Sequence, residues 1–289
     1  MKKDTIYASI TKNQKTAISI IRVSGPKSSV IAKKLLKKNI DTKVAHLRKI
    51  YSINNEFIDQ GVVISFSKPN SPTGEDVLEF HVHGSFAVIA KIEEELSKIN
   101  GVREAEPGEF TKRSFYNNKL DLIQVEGLED LLDSATDLQR KQANLSFMGS
   151  VSSKLELWRK DLIELGSFIE TSIDFSDEIL PDESIKLFNS QLEGLKHKIK
   201  QASDLAKYSK KVREGVKVII TGPPNAGKSS LINCILDENI SIVTDEPGTT
   251  RDLISSTVDI DGILVNFYDT AGLHDTKNHA EAEGVRRAR

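Results

Sequence analysis

Gly222-Pro-Pro-Asn-Ala-Gly227-Lys228-Ser229 is a complete G-x4-G-K-[ST] loop, and it fixes the elements on either side of it. The apolar run from Val216 to Thr221 reads as a buried strand, and Ser230 to Leu236 reads as the helix that follows. The glycines let the backbone curl so that its N–H groups point inward at phosphates, and the helix N-terminus adds partial positive charge. Lys228 is then placed to reach the β- and γ-phosphates, and the Ser229 hydroxyl to hold Mg²⁺. Two further segments narrow the reading to a GTPase-like domain. Asp269-Thr-Ala-Gly272 ends the run Ile263–Tyr268, and the turn signal Asp261-Gly262 predicts that Thr257–Ile260 and Ile263–Tyr268 pair antiparallel. Asp269 is expected in the metal's outer shell, and the Gly272 N–H at the γ-phosphate. Between loop and strand lies Asp245-Glu-Pro-Gly-Thr249-Thr250-Arg251-Asp252, where a threonine can close over Mg²⁺ when the γ-phosphate is present.

Leu273 follows Gly272, at the place where many GTPases carry a glutamine that orients the attacking water. A leucine cannot do so. Either hydrolysis is slow or another group acts. Glu281 and Glu283 are the local candidates, the alternative being that both are exposed helix carboxylates.

At 289 residues the chain suggests two or three domains, and its 28% charged and 38% hydrophobic content is that of an ordinary globular protein. A net charge of −2 excludes a global basic footprint for nucleic acid. Lys27, Lys33, Lys34, Lys37, Lys38, Lys43, Arg48 and Lys49 nonetheless cluster, much of the group on a helix-like stretch with Val30, Ile31, Leu35 and Leu36 inward. A solvated helix face is the preferred reading, with RNA contact as the sharper alternative. The single cysteine, Cys234, excludes a disulfide framework, points to a reducing compartment, and is expected in the core of the helix after the loop. No apolar stretch approaches the length of a membrane span, and Met1-Lys-Lys-Asp lacks a signal core.

Periodicity divides the chain into residues 1–118, 119–210 and 211–289. The first is mixed, with strands expected at Thr5–Ile10, Ala17–Val23, Val44–Ile50, Gly61–Phe66 and Val77–His83, and helices near Ser28–Lys37 and Phe86–Lys98. The second is helical. One apolar stripe runs from Leu122 to Leu138, a second from Leu155 to Ile173 and a third from Leu187 to Leu205, with Pro181 breaking the last two apart. In Val77-Leu-Glu-Phe-His-Val-His83, alternation puts Leu78, Phe80 and Val82 on one face and Glu79, His81 and His83 on the other. Those three can bind a metal, line a ligand pocket or simply face solvent; a pocket or solvent is preferred. Glu106-Pro-Gly-Glu-Phe110-Thr-Lys-Arg113 reads as a loop.

Several blocks occur in order: Ile21-Arg22-Val-Ser-Gly25, Thr73-Gly-Glu-Asp-Val77, His83-Gly84, Pro107-Gly-Glu-Phe110, Asn118-Lys119-Leu-Asp121 and Ile173-Asp-Phe175. Pro224-Asn-Ala-Gly-Lys-Ser229, Gly248-Thr-Thr-Arg-Asp252 and Asp269-Thr-Ala-Gly-Leu273 follow. Together the set closely resembles the MnmE (TrmE) family of tRNA-modification GTPases, from the N-terminus to residue 289. The resemblance implies an α+β N-terminal domain that dimerises and binds tetrahydrofolate, an all-α helical domain, and a P-loop α/β GTPase domain. It implies cytoplasmic installation of carboxymethylaminomethyl on C5 of the wobble uridine of certain tRNAs, with the flavoprotein MnmG as partner and a 5-formyl- or methylene-tetrahydrofolate as one-carbon source. Arg22, Glu79 and Lys119 match the folate-contacting positions, and an arginine, a lysine and a glutamate suit carboxylates and a pterin edge.

For the nucleotide the resemblance implies GTP contacts from Asn225, Ala226, Gly227, Lys228, Ser229 and Ser230. Further contacts come from Thr244, Asp245, Glu246, Pro247, Gly248, Thr249 and Thr250, and from Asp269, Thr270, Ala271 and Gly272. Mg²⁺ falls to Ser229 and Thr250; K⁺ falls to Asn225, Thr244, Glu246 and Thr249, and stabilises developing charge as an arginine finger does elsewhere. Glu281 matches the glutamate that orients water, with Lys228 as its catalytic companion.

No N-K-x-D motif to read guanine follows Gly272; Asn118-Lys119-Leu-Asp121 has the pattern but precedes the loop and is a decoy. The chain is therefore expected to be a truncated or split product, with half a helical bundle exposing an apolar face, an unpaired sheet edge and weak, poorly guanine-selective nucleotide binding. The alternatives are a non-catalytic dimerising folate-binding module and a different P-loop GTPase such as a ribosome-assembly factor.

Overall fold

The alternation of Val77-Leu-Glu-Phe-His-Val-His-Gly84 decides which face of the first sheet becomes core. The computed structural model describes residues 4–11, 16–38, 40–175, 181–222, 227–238, 241–242 and 254–269. Two compact units divide the chain, Met1–Val125 and Glu126–Arg289. In the first, β1 (Thr5–Ser9), β2 (Thr16–Ser24), α1 (Ser28–Leu36), β3 (His46–Tyr51), β4 (Phe57–Phe66) and β5 (Val77–Gly84) precede α2 (Phe86–Ser97), β6 (Val102–Glu104) and α3 (Glu109–Tyr116). The sheet order is β3-β4-β5-β2-β1-β6, antiparallel except for the parallel pair β1–β6.

Leu78, Phe80 and Val82 enter the core with Ile21 and Val23 of β2, Ile50 of β3 and Val63 of β4. Helix α1 supplies Ile31, Leu35 and Leu36, and α2 supplies Ile89, Ile92 and Leu96. Each such side chain, fully buried, contributes about 1.5–3 kcal/mol. Val30 does not join them: it is exposed, and Ala32 takes the inward position instead. Positions 28, 31, 32, 35 and 36 make one helical stripe, and 30 lies across the axis from it.

The segment expected as a loop at Glu106–Arg113 becomes helical from Glu109. Gly108 takes φ +72 just before it, and the Glu109–Arg113 pair spans one turn at 3.0 Å.

Helix α4 (Leu122–Leu132) is followed by α5 (Asp137–Phe147), α6 (Ser150–Asp174) and α7 (Asp182–Glu214). The stripe from Leu122 to Leu138 is thus not one helix. Thr136 and Gln139 form a reciprocal capping box that starts α5 anew. Pro181 stands at the N-terminus of α7, as its fixed φ favours. Phe168 stacks on Phe188 at 5.0 Å and Leu165 and Leu195 are buried, while Leu157, Leu162, Ile173, Leu187 and Leu205 stay exposed. Strand β7 (Val216–Ile220), α8 (Lys228–Glu238), β8 (Ser241–Ile242), β9 (Ile254–Ile260) and β10 (Ile263–Asp269) complete the second unit. Their sheet order is β7-β10-β9-β8, with β7 parallel to β10 and the other pairs antiparallel. The β9–β10 turn has φ +52 at Asp261 and +84 at Gly262, the left-handed pair that a tight hairpin needs.

Candidate functional site

The first site is built by a crossover. Strand β7 runs on to Gly222, Gly227 takes φ +83, and α8 begins at Lys228. The Lys228 Nζ donates to the Gly222 carbonyl at 2.9 Å, so the lysine spans the mouth of the loop. Parallel pairing sets Asp269 beside Ile220, two residues before Gly222. The last residue of β10 and the start of the loop therefore share one end of the sheet. Ile232 of α8 is buried, and Ile235 and Leu236 pack against Val258, Val265 and Phe267, which holds the helix over that sheet. Ser229 falls in the first turn of α8, where backbone N–H groups lack intrahelical acceptors. Cys234 is exposed, contrary to its expected core place: 232, 235 and 236 form the inward stripe and 234 falls between its rows. Asn225, Ala226, Thr244, Asp245, Glu246, Pro247, Gly248, Thr249, Thr250, Thr270, Ala271, Gly272, Glu281 and Glu283 lie outside the described residues.

The second site is the face of the first sheet opposite its core. Arg22 and Glu79 are direct cross-strand partners on β2 and β5, and the Arg22 Nε donates to Glu79 Oε1 at 2.7 Å. The Arg22 guanidinium also lies 5.8 Å from the centroid of the Phe110 ring. His81 shares the face, its Nε2 at 3.4 Å from Glu79 Oε2. His83 departs: its ring and backbone N–H both bond Asp59. Burial pushes the Asp59 carboxyl up, but the His83 N–H, the His83 ring and the Gln60 N–H outweigh it and hold it below its ordinary value. Glu79, His81 and His83 are thereby split between two partners, and among the described residues no group of three His, Cys, Asp or Glu could hold a metal ion. Lys119 is set by its N–H to Ser114 O and packs on the Gly74 turn, where an added Cβ would lie 3.2 Å from its Cγ. That turn is tied to the same face through Ser24, whose Oγ bonds Thr73 and Glu75 at 2.7 Å each.

A charged network that sequence reading missed braces this turn. The Arg113 side chain is 3% exposed and reaches Asp4, Glu75 and Glu109, and Arg103 joins it through Asp4 and Glu109. Only the i,i+4 pair Glu109–Arg113 left a sequence signal; Arg103 lies six residues before Glu109 across a strand end and a turn, and Asp4 and Glu75 are far away in the chain. Bonding from Arg103, against the opposing effect of burial, and further bonding from the Glu106 N–H and Arg113 hold Glu109 down to about 2. Burial likewise pushes Asp4 up, and both arginines override it and leave it lowered.

The sign follows. A carboxyl depressed from 4.5 to about 2 stabilises the fold fully above 4.5, and that contribution is lost as pH falls through about 2. Thermal midpoints recorded from pH 6 to 2 are expected to show Glu109→Gln below the parent at pH 6, with the two curves converging toward pH 2. Parallel curves would exclude the network as an acid-labile brace.

Residues 5–119 match the family model described as the N-terminus of the GTP-binding protein TrmE, and residues 122–286 match the MnmE helical domain. The tRNA modification GTPase MnmE of Ruegeria sp. (strain TM1040) is 40% identical over 285 residues, covering 99% of this chain and 67% of that protein. The mitochondrial tRNA modification GTPase gtpbp3 of Dictyostelium discoideum is 43% identical over 297 residues, covering 99% of this chain and 58% of its own length. MnmE of Rhizobium etli (strain CIAT 652) is 42% identical over 290 residues, 100% of this chain and 66% of that protein. The chain spans about two thirds of the length of these relatives, or less.

Proposed function

The chain belongs to the MnmE family of tRNA modification GTPases, and from that premise we propose that it binds and hydrolyses GTP in the service of modifying the wobble uridine of tRNA. The observation that carries the reading is the phosphate loop between β7 and α8, with Lys228 at its mouth and Asp269 at the adjacent end of β10. In this reading Lys228 neutralises phosphate oxygens, Ser229 and Thr250 hold Mg²⁺, and Asp269 orients the metal's water. Asn225, Thr244, Glu246 and Thr249 offer oxygens to K⁺, and Glu281 positions the attacking water. When bound, the two cations supply charge stabilisation at the transferred phosphoryl group.

Residues 1–118 would form the folate-binding and dimerising domain, 119–210 the helical domain and 211–289 the nucleotide domain. The face bearing Arg22 and Glu79 suits a tetrahydrofolate one-carbon donor: a guanidinium for carboxylate, a carboxylate for a pterin N–H edge, and Phe110 to stack. Lys119 beside the Gly74 turn adds a second cation for the folate's carboxylates. MnmG as flavoprotein partner, a homodimer and a cytoplasmic setting complete the proposal.

GTP hydrolysis in KCl and in NaCl tests the nucleotide half: turnover is expected to be at least tenfold faster with K⁺ and to vanish in Lys228→Ala. Equal rates in both salts would remove the K⁺ role, and turnover in Lys228→Ala would remove the loop. For the folate half, Arg22→Ala and Glu79→Ala are each expected to weaken 5-formyltetrahydrofolate at least tenfold by calorimetry. Unchanged affinity in both variants would place the folate elsewhere.

A further inference from the structure

Five lysines of the long helix α7 sit beside acids. On α7, Lys196, Lys200, Lys207 and Lys210 each face a carboxylate one turn away, and Lys198 faces Asp161. The end of α1 is built differently. Lys33, Lys34, Lys37, Lys38 and Lys43 are exposed, and among the described residues none of their side chains has an ion pair or hydrogen bond. Asp41 is the one carboxylate between Gly25 and Asn55; it is 87% exposed and sits 3.8 Å from His46. Arg48 of β3, which packs beside α1, donates to Leu47 O and His46 Nδ1 but leaves a buried Nε with no partner among the described residues.

Backbone geometry adds an independent sign. Lys37 closes α1 at φ +58 and Lys43 lies at φ +60. Both are left-handed positions where glycine or asparagine costs less. Two lysines are kept where glycine would be the more stable choice, beside three others without counter-charge. The macrodipole of α1 favours Lys33 and Lys34 in its last turn, but it does not supply what five unpaired ammonium groups lack. A chain of net charge −2 has no general reason to concentrate positive charge here.

We propose that Lys33, Lys34, Lys37, Lys38, Lys43 and Arg48 form a docking surface for the phosphodiester backbone of RNA, and specifically of the tRNA substrate. The inference rests on the tRNA-modification reading for its choice of polyanion. Lysines as mobile point charges suit backbone contact and carry no base selectivity, so the surface holds tRNA without choosing among tRNAs. Selection would belong to other parts of the assembly.

The test is fluorescence anisotropy with an unmodified tRNA transcript from 50 to 200 mM KCl. Binding is expected to weaken roughly 100- to 500-fold across that range, as about five phosphate contacts require. The quadruple variant Lys33→Gln/Lys34→Gln/Lys37→Gln/Lys38→Gln is expected to lose at least tenfold in affinity at 100 mM and to flatten the log–log slope by about 3. Lys196→Gln/Lys200→Gln/Lys207→Gln, on the paired lysines, is expected to change neither. Lys37→Gly separates binding from folding: it should raise the thermal midpoint while lowering tRNA affinity. Undiminished affinity and slope in the quadruple variant would overturn the proposal, as would absence of tRNA binding by the parent chain at 50 mM. Tighter binding to phosphatidylserine vesicles than to tRNA would also overturn it, in favour of a membrane surface. Nucleotide binding measured on the same samples keeps the readings apart. Patch-dependent tRNA binding without GTP binding would sink the GTPase proposal alone, and GTP binding with patch-independent tRNA binding would sink this one alone.

Discussion

The second sheet of this molecule depends on one non-local pairing, β7 against β10 in parallel. A parallel pair needs a crossover, and here the crossover contains α8, β8 and β9. The pairing does two things at once. It aligns Ile220 with Asp269, so that the phosphate loop and the acidic end of β10 open at the same edge, as ligand sites in α/β sheets do. It also gives α8 an apolar surface to cover, Val258, Val265 and Phe267, which fixes the helix whose N-terminus faces the loop. Gly215 belongs to the same construction. It enters β7 at φ +74, and a Cβ there would lie 2.7 Å from Leu264 O.

The first unit solves a different problem, that of charge on a sheet face. Arg22 and Glu79 are cross-strand neighbours, and an unpaired glutamate only 8% exposed, as Glu79 is, would be costly. Pairing removes that cost and leaves a polarised guanidinium and carboxylate beside an aromatic ring. The network of Asp4, Glu75, Arg103, Glu109 and Arg113 braces the turn at Thr73–Glu75 against the same face. Removing a single member would leave an uncompensated charge in a partly buried place, so such a network holds its geometry more firmly than its net energy suggests.

Legibility in the sequence followed the range of the interaction. The strand and helix flanking the loop, the Asp261-Gly262 hairpin, the α1 and α2 helices and the face alternation of β5 are local patterns, and each emerged at nearly its expected bounds. The break between α4 and α5 was also written locally, as the Thr136–Gln139 capping box, but an apolar stripe running through it concealed the stop. Glu109–Arg113 was hidden by Pro107-Gly108, which looks like a loop and is in fact the entry to a helix. Most of the Arg113 network was not legible, because Asp4 and Glu75 reach Arg113 from 109 and 38 residues away and leave no periodic trace. The departure of His83 toward Asp59 was illegible for the same reason: alternation assigns a face and leaves the partner on that face open.

The central claim is that the phosphate loop and Asp269 act as one Mg²⁺-nucleotide site because β7 and β10 pair in this register. Calorimetric titration of GDP with and without Mg²⁺, into the parent chain and into Asp269→Asn, tests it most directly. The account predicts that Mg²⁺ strengthens GDP binding at least tenfold in the parent, and that Asp269→Asn abolishes this gain while leaving Mg²⁺-free affinity intact. A Mg²⁺ gain that persists undiminished in Asp269→Asn would contradict it.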